Sequence, residues 1–349
     1  MPRLRRVDVA GPGIRRTRRG RGFEYVDEDG ERIGDLETLE RIRELAIPPA
    51  WEDVWICPYP NGHIQVVGTD AAGRKQYRYH QKWRERRDQI KFDKMIEFAR
   101  ALPKLRKQAA VDVDAKGFPR ERVLACAVRL LDRGFFRIGG EEYAEENESF
   151  GLATMRKSHV KLGDDYTLTF DYPAKSGKRQ VRSVVDPDVY EVVTALKARR
   201  SGPRDLLVYE ADGTWFDVKS DDINAYIKEV TDGDFSAKDF RTWIGTVVAA
   251  VALAVSGEVA KSKTGRKRAI TRAIEEVARY LGNTPAVARA SYIDPRVFDR
   301  YSGGVTIGGV VPDLGGVGEL GQPAFQGRVE EAVLDLLEEE QSPALEKVA

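Results

Sequence analysis

Residues 73–95 read GRKQYRYHQKWRERRDQIKFDKM, and the texture of the chain changes across them. Upstream, short alternating segments are punctuated by turns. FEYVDEDGERI (23–33) centres on Asp29-Gly30, and VWICPYPNGHIQVVG (54–68) centres on Asn61-Gly62, both hairpin signals. Between them Leu36, Leu39, Ile42 and Leu45 share one face of a helix at 36–46, stopped by Pro48-Pro49. Downstream the period is helical. Val123, Leu124, Ala127, Val128 and Leu131 form a stripe that ends at Gly134, and further helical patterns occupy 186–199, 221–230, 241–256 and 268–281. One hairpin interrupts them: YTLTFDYP (166–173) alternates, AKSG turns, and KRQVRSVV (178–185) returns.

The fold class is therefore α+β. A small β-rich domain (23–90) precedes a larger, mainly helical domain (91–302). Residues 1–22, with eight arginines and one acid, read as a basic flexible arm. Such an arm can be solvated or can lie along a phosphate backbone. Residues 303–349 read as a Gly-rich linker (303–321) and an acidic tail with an amphipathic helix at 328–340.

The 349 residues carry 57 basic and 56 acidic side chains, a net of +1. The sum conceals an asymmetry. Residues 1–22 carry +7, residues 73–95 carry +6, and residues 319–349 carry −6. Two cysteines, Cys57 and Cys126, cannot build a disulfide framework or a four-cysteine zinc site. The longest apolar run, Val247–Val255, is too short for a membrane helix, and the N-terminus has no apolar core of a secretory signal. A soluble cytoplasmic protein is expected, with no membrane or nucleotide partner.

Several motifs fail on context. GVGELG (316–321) follows no strand and opens no βαβ unit, SGK (176–178) lacks the rest of a P-loop, and His63, His80 and His159 lie far apart. Neither a metal nor a cofactor is expected.

Four unusual segments remain: LLDRGFFRIGGEEYAEENESFGLATMRKSHV (130–160), PAKSGK (173–178), KDFRTWIGT (238–246) and LGNTPAVARASYIDP (281–295). They supply Arg137, Lys175, Arg241, Asn283 and Tyr292. Two arginines can clamp a phosphodiester through charge-assisted hydrogen bonds, and an asparagine amide can add a neutral donor. A hairpin lysine can protonate a leaving alkoxide, and a tyrosine can attack phosphorus. In the last segment a helix ends at Leu281-Gly282, Thr284 caps the next, Pro285 opens it, and Asp294-Pro295 breaks it. Taken singly, such residues are far more often core residues, salt-bridge partners or solvated side chains, and spacing does not select these five.

These segments resemble the small, poxvirus-like type IB DNA topoisomerases, above all their bacterial branch. The similarity runs from about residue 11 to 302 and includes RRTRRGRGF (15–23), AIPPAWEDVWICP (46–58) and GRKQYRYH (73–80). The resemblance implies a two-domain clamp around duplex DNA, acting as a monomer. It implies that Tyr292 forms a 3′-phosphotyrosyl bond, that Arg137 and Arg241 contact the scissile phosphate, and that Lys175, helped by Arg137, is the general acid. Positive and negative supercoils would then relax without ATP or metal. Viral and nuclear relatives usually carry histidine where this chain has Asn283, so a proton-transfer role there is in doubt.

The resemblance places Gln76, Tyr77 and Tyr79 against DNA, where they could read base edges in the major groove. Packing of the tyrosines in the sheet is the alternative. Arg74, Lys75 and Arg78 suit phosphates, and Tyr143, Lys157 and Lys238 in the quoted segments are further expected DNA contacts. The run KSKTGRKR (261–268) is either a solvated helix entry or a phosphate contact. Two other functions compete. A tyrosine recombinase shares the nucleophile and clamp, but commonly has His-x-x-Arg where this chain has Lys238-Asp239-Phe240-Arg241. An inactive DNA-binding module would not need the intact set.

Overall fold

The computed structural model describes residues 3–256, 262–315 and 325–347 and divides into two units, Met1–Asp93 and Lys94–Ala349. The first unit is a five-stranded antiparallel sheet in the order β2-β1-β3-β4-β5. Its strands are β1 (Ile14–Arg19), β2 (Gly22–Val26), β3 (Glu52–Ile56), β4 (Ile64–Thr69) and β5 (Lys75–Tyr79). Helix α1 (Leu36–Glu44) begins where the Asp35 carboxylate accepts a hydrogen bond from the Thr38 amide at 2.8 Å. Alternation along β3 sends Val54 and Ile56 to one core with Ile14, Ile42 and Val66, and Trp55 and Cys57 to a second with Val67. Helix α2 (Gln81–Val113) then runs across the division.

The flexible arm expected over 1–22 is corrected by this sheet. Ile14, the apolar residue that opens β1, is buried opposite Ile56, and Arg15–Arg19 pair with Gly22–Val26 around Gly20, whose φ is 57°. Arg16 lies against the sheet and donates to the carbonyls of Pro48 (3.1 Å) and Trp51 (2.5 Å). Charged residues thus occupy a strand because an arginine can satisfy backbone acceptors while it covers apolar surface.

The second unit is mainly helical. It contains α3 (Arg120–Gly134), α4 (Glu141–Asn147), α5 (Pro187–Ala198), α6 (Ser220–Thr231), α7 (Ala237–Val255), α8 (Lys263–Leu281), α9 (Pro285–Ser291), α10 (Pro295–Ser302) and α11 (Arg328–Glu338). A three-stranded sheet, β6 (Val160–Leu162), β7 (Thr167–Ala174) and β8 (Lys178–Val185), holds the expected hairpin. Two ribbons complete the unit: β9 (Val208–Ala211) with β10 (Thr214–Asp217), and β11 (Val305–Thr306) with β12 (Glu346–Lys347). Helix α7 is apolar on nearly every side from Trp243 to Leu253, and it is buried accordingly.

The C-terminal region also differs from expectation. Residues 303–315 are not a linker: β11 pairs with β12, and Ile307 and Val310 are buried. Gly309 is present for close approach, since a Cβ there would stand 2.6 Å from the Pro343 carbonyl oxygen. The GVGELG stretch lies outside the described residues. Helix α11 is no free acidic tail, because Val329, Ala332, Val333, Leu336 and Leu337 are buried. Glu330 accepts from the Trp243 indole at 2.7 Å and pairs with Arg106, which also holds Asp132. Burial opposes the charge on Arg106, yet the two carboxylates more than offset it and raise its pKa.

Candidate active site

Arg137 follows directly on the end of α3. Phe135 turns the chain in the left-handed region (φ 57°), and Phe136 folds over Gly134, where a Cβ would come within 2.0 Å of its ring. The Phe136 ring then packs edge-on against Phe170 and stacks on Tyr172, both on β7. The next residues are pinned to a second Gly-bearing segment. The Leu152 amide donates to the Arg137 carbonyl at 2.8 Å, and Gly139 and Gly151 touch so closely that neither tolerates a side chain. The guanidinium of Arg137 donates to the Gly282 carbonyl (3.0 Å) and to Asn283 Oδ1 (2.6 Å).

Arg241 stands in the first turns of α7, where the Asp239 carboxylate accepts from the Ser236 amide (2.8 Å) and hydroxyl (3.1 Å). It is 5% exposed and donates to the carbonyls of Phe135 (2.7 Å) and Leu281 (2.9 Å). Burial lowers its pKa, the neighbouring Tyr292 phenol opposes that, and Arg137 adds to it. Its guanidinium carbon lies 5.1 Å from the Tyr292 ring centroid.

Asn283 sits where α8 closes on Gly282 (φ 63°), with its amide reaching back to the Ala278 carbonyl at 2.9 Å. Thr284 caps α9 and Pro285 opens it, as the sequence predicts. Tyr292 is the residue that ends α9, its amide still bonded to the Ala288 carbonyl at 3.0 Å. Behind it, buried Thr246 of α7 donates to the Thr242 carbonyl and accepts from the Asp294 amide at 3.1 Å. Gly245 lets α7 approach: a Cβ there would lie 2.5 Å from the Tyr292 carbonyl oxygen.

Four of the five candidate residues thus meet directly. The fifth, Lys175, is exposed in the one-turn 3-10 helix that joins β7 to β8. Two buried donor atoms at the cluster, Asn283 Nδ2 and Arg241 Nε, have no hydrogen-bond partner among the described residues. Oriented cationic donors, a spare amide N–H and a tyrosine beside them suit a tetrahedral or pentacoordinate oxyanion such as a phosphodiester.

The DNA-contact candidates divide. On β5, Tyr77 and Tyr79 are 44% and 38% exposed and stack with centroids 6.1 Å apart, so packing inside the sheet is not their role. Lys75 shares their exposed face. Gln76 and Arg74 instead donate to the Asp70 carboxylate at 2.9 and 2.8 Å, and side-chain bonds from Arg74 hold Asp70 down to about 2. Arg78 is half-buried near the Trp51 ring. In the second unit Lys238 is exposed, whereas Lys157 donates to the Arg199 carbonyl at 2.8 Å. The Tyr143 side chain lies outside the described part of the structure. Of the 261–268 run, Lys261 lies outside the described residues. Lys263–Arg268 open α8, where Arg266 donates to the Ser302 carbonyl at 2.9 Å.

Comparison with known proteins brings these observations together. Residues 80–303 match the model of the eukaryotic DNA topoisomerase I catalytic core, and residues 22–70 match that of the bacterial DNA topoisomerase IB N-terminal domain. DNA topoisomerase 1B of Acanthamoeba polyphaga mimivirus is 32% identical over 296 residues, 83% of this chain and 87% of the viral protein. The chain belongs to the type IB DNA topoisomerase family. DNA topoisomerase 1 of Rabbit fibroma virus is 22% identical over 80% of this chain and 89% of its own length. DNA topoisomerase 1 of Schizosaccharomyces pombe is 28% identical over 158 residues, which is 18% of the yeast protein.

Arg137, Lys175, Arg241, Asn283 and Tyr292 all fall inside the topoisomerase core match, whereas α11 and β12 lie beyond it. Sequence reasoning missed three residues that line this candidate site. Gly245 and Thr246 seat Tyr292, and they lie in a quoted segment where only the arginine drew notice. Arg182 is the third. Its pKa falls through burial, against the opposing Tyr172 phenol and with a further push from Arg137. Alternation along KRQVRSVV puts Gln180, Arg182 and Val184 on one face, which was the available signal.

Proposed function

We propose that this protein relaxes positive and negative supercoils by reversible cleavage of one DNA strand. Tyr292 Oη gives up its phenolic proton to water and attacks the scissile phosphorus, and a 3′-phosphotyrosyl bond forms. The P–O5′ bond breaks, and Lys175 delivers a proton to the departing O5′. Reversal of the same steps reseals the strand. Bond energy is conserved in the exchange, so no ATP is consumed. Arg137 and Arg241 neutralise the charge that builds on the non-bridging oxygens, and Asn283 Nδ2 adds a neutral donor. These groups supply the electrostatic stabilisation without a metal. Asn283 acts by hydrogen bonding alone, because an amide does not exchange protons near neutral pH.

The convergence of Arg137, Arg241 and Asn283 on Tyr292, with two buried donor atoms left unpartnered among the described residues, carries this reading. Duplex DNA is the substrate and the protein acts as a monomer. Lys75, Tyr77, Tyr79 and Lys238 contact the duplex. Arg74 and Gln76 support that surface through Asp70.

The test is relaxation of plasmids of both supercoil signs in EDTA without ATP, run beside Tyr292→Phe. The parent should relax both and, when trapped with denaturant, carry DNA on tyrosine. The variant should bind DNA with unchanged affinity and form no adduct. An adduct on Tyr292→Phe, or a strict need for ATP or divalent metal, would refute the reading.

A further inference from the structure

The general-acid hairpin has to be held in register with the phosphate clamp, and one point of contact does this in the structure. On β8, Arg182 donates to Gln180 Oε1 at 3.0 Å. The Gln180 amide lies over Gly282: a Cβ built there would stand 2.8 Å from Oε1 and 3.1 Å from Cδ and Nε2. Gly282 is also the residue whose carbonyl Arg137 holds, and its neighbours Leu281 and Asn283 are held by Arg241 and Arg137. Gln180 is five positions from Lys175 along the same hairpin, with its backbone paired to Tyr172. Tyr172 in turn stacks on Phe136, beside Arg137.

We infer that Gln180 and Arg182 are positioning residues that dock the β7–β8 hairpin onto the 281–283 turn and so place Lys175 against the leaving oxygen. Arg182 fixes the Gln180 amide, and the amide bears on the turn that the two clamp arginines grip. The pair acts on the protonation step, not on the charge of the scissile phosphate. This inference rests on Lys175 being the general acid.

The experiment compares two duplexes under single-turnover conditions. One has the natural 5′-oxygen at a mapped cleavage position and the other a 5′-bridging sulfur. A thiolate is far less basic than an alkoxide and departs without a proton. A positioned general acid contributes about 10²–10⁴-fold. Arg182→Ala and Gln180→Ala should each cleave the oxygen duplex about 10–100-fold more slowly, yet cleave the sulfur duplex within about 3-fold of the parent. As members of one unit they should combine without further loss. DNA affinity and melting temperature report whether each variant folds, and Gln180→Ala stands if Arg182→Ala does not. Equal losses on both duplexes, or no loss on the oxygen duplex, would overturn the inference. Lys175→Ala separates the two levels. If sulfur fails to rescue it, the general-acid reading falls; if sulfur rescues it but neither β8 variant, only the docking role falls.

Discussion

Gly245→Ala is the sharpest test of how Tyr292 is held. The substitution lies inside α7, where alanine is favoured over glycine by about 0.8–1 kcal/mol. Its Cβ would meet the Tyr292 carbonyl oxygen at 2.5 Å, Tyr292 Cβ at 3.2 Å and Leu281 Cδ1 at 3.3 Å. Carbon–oxygen contacts under 3.0 Å are essentially never made, so the end of α9 must retreat by about half an ångström or more. Overpacking of this kind costs about 1–3 kcal/mol, and the gain in helix propensity offsets part of it. The fold should survive, with net destabilisation of about 0–2 kcal/mol. Chemistry is less tolerant, because a displacement near 1 Å at a reacting group costs about 10²-fold. Single-turnover cleavage of a suicide duplex should therefore fall by about 30–100-fold while DNA affinity stays within about 2-fold. Cleavage within about 3-fold of the parent would show that the α7–α9 contact does not set the nucleophile's position.

Two further outcomes are expected. Glu330→Ala leaves the Trp243 indole and one side of Arg106 unpaired in a site where the Arg106 and Glu330 side chains are 24% and 11% exposed; because Asp132 remains, the loss should be about 2–3 kcal/mol, read as a melting temperature lower by about 5–10 °C. Asp70 titrates at about 2 instead of 3.8, so its interaction with Arg74 is complete at neutral pH and is lost as pH falls from about 4 towards 2; carboxyl NMR should show the low midpoint, and Arg74→Ala should raise it.

Where backbone chemistry is local, the sequence was readable. Gly282, Thr284, Pro285 and the Asp294-Pro295 break define the turn that carries Asn283 and the helix that ends at Tyr292, and all four act as their residue types dictate. The hairpin at 166–185 followed from alternation alone. β1 was hidden because its one core residue, Ile14, stands among arginines whose composition signals disorder, while Arg16 spends its donors on backbone carbonyls instead of water. Residues 303–315 were misread because glycine serves flexibility and close packing equally well, and Gly308 and Gly309 serve packing against the C-terminal strand. The five site residues could not be chosen by spacing; the resemblance selected them, and only the fold shows why four of them touch.

The charge asymmetry of the sequence takes a different meaning from these contacts. Three of the C-terminal acids are paired: Glu330 with Arg106, Glu338 with Arg100 and Glu339 with Arg300. They neutralise arginines of their own unit. The site follows the opposite rule. On α3, Arg129 and Arg133 are paired with Asp186, and Arg129 also with Asp188, so two carboxylates offset the two charges. Arg137, a few residues on, is held by a carbonyl and an amide oxygen, and Arg241 is held by two carbonyls. A neutral acceptor fixes the direction of a guanidinium without cancelling its charge, so the positive potential stays available to a phosphate that arrives later. Such an arrangement is costly for the empty protein, as the lowered pKa of buried Arg241 indicates. Arg16 and Arg199 are held by carbonyls too, so that feature alone does not mark an anion site; Arg137 and Arg241 differ in bringing uncancelled charge together beside Asn283 and Tyr292.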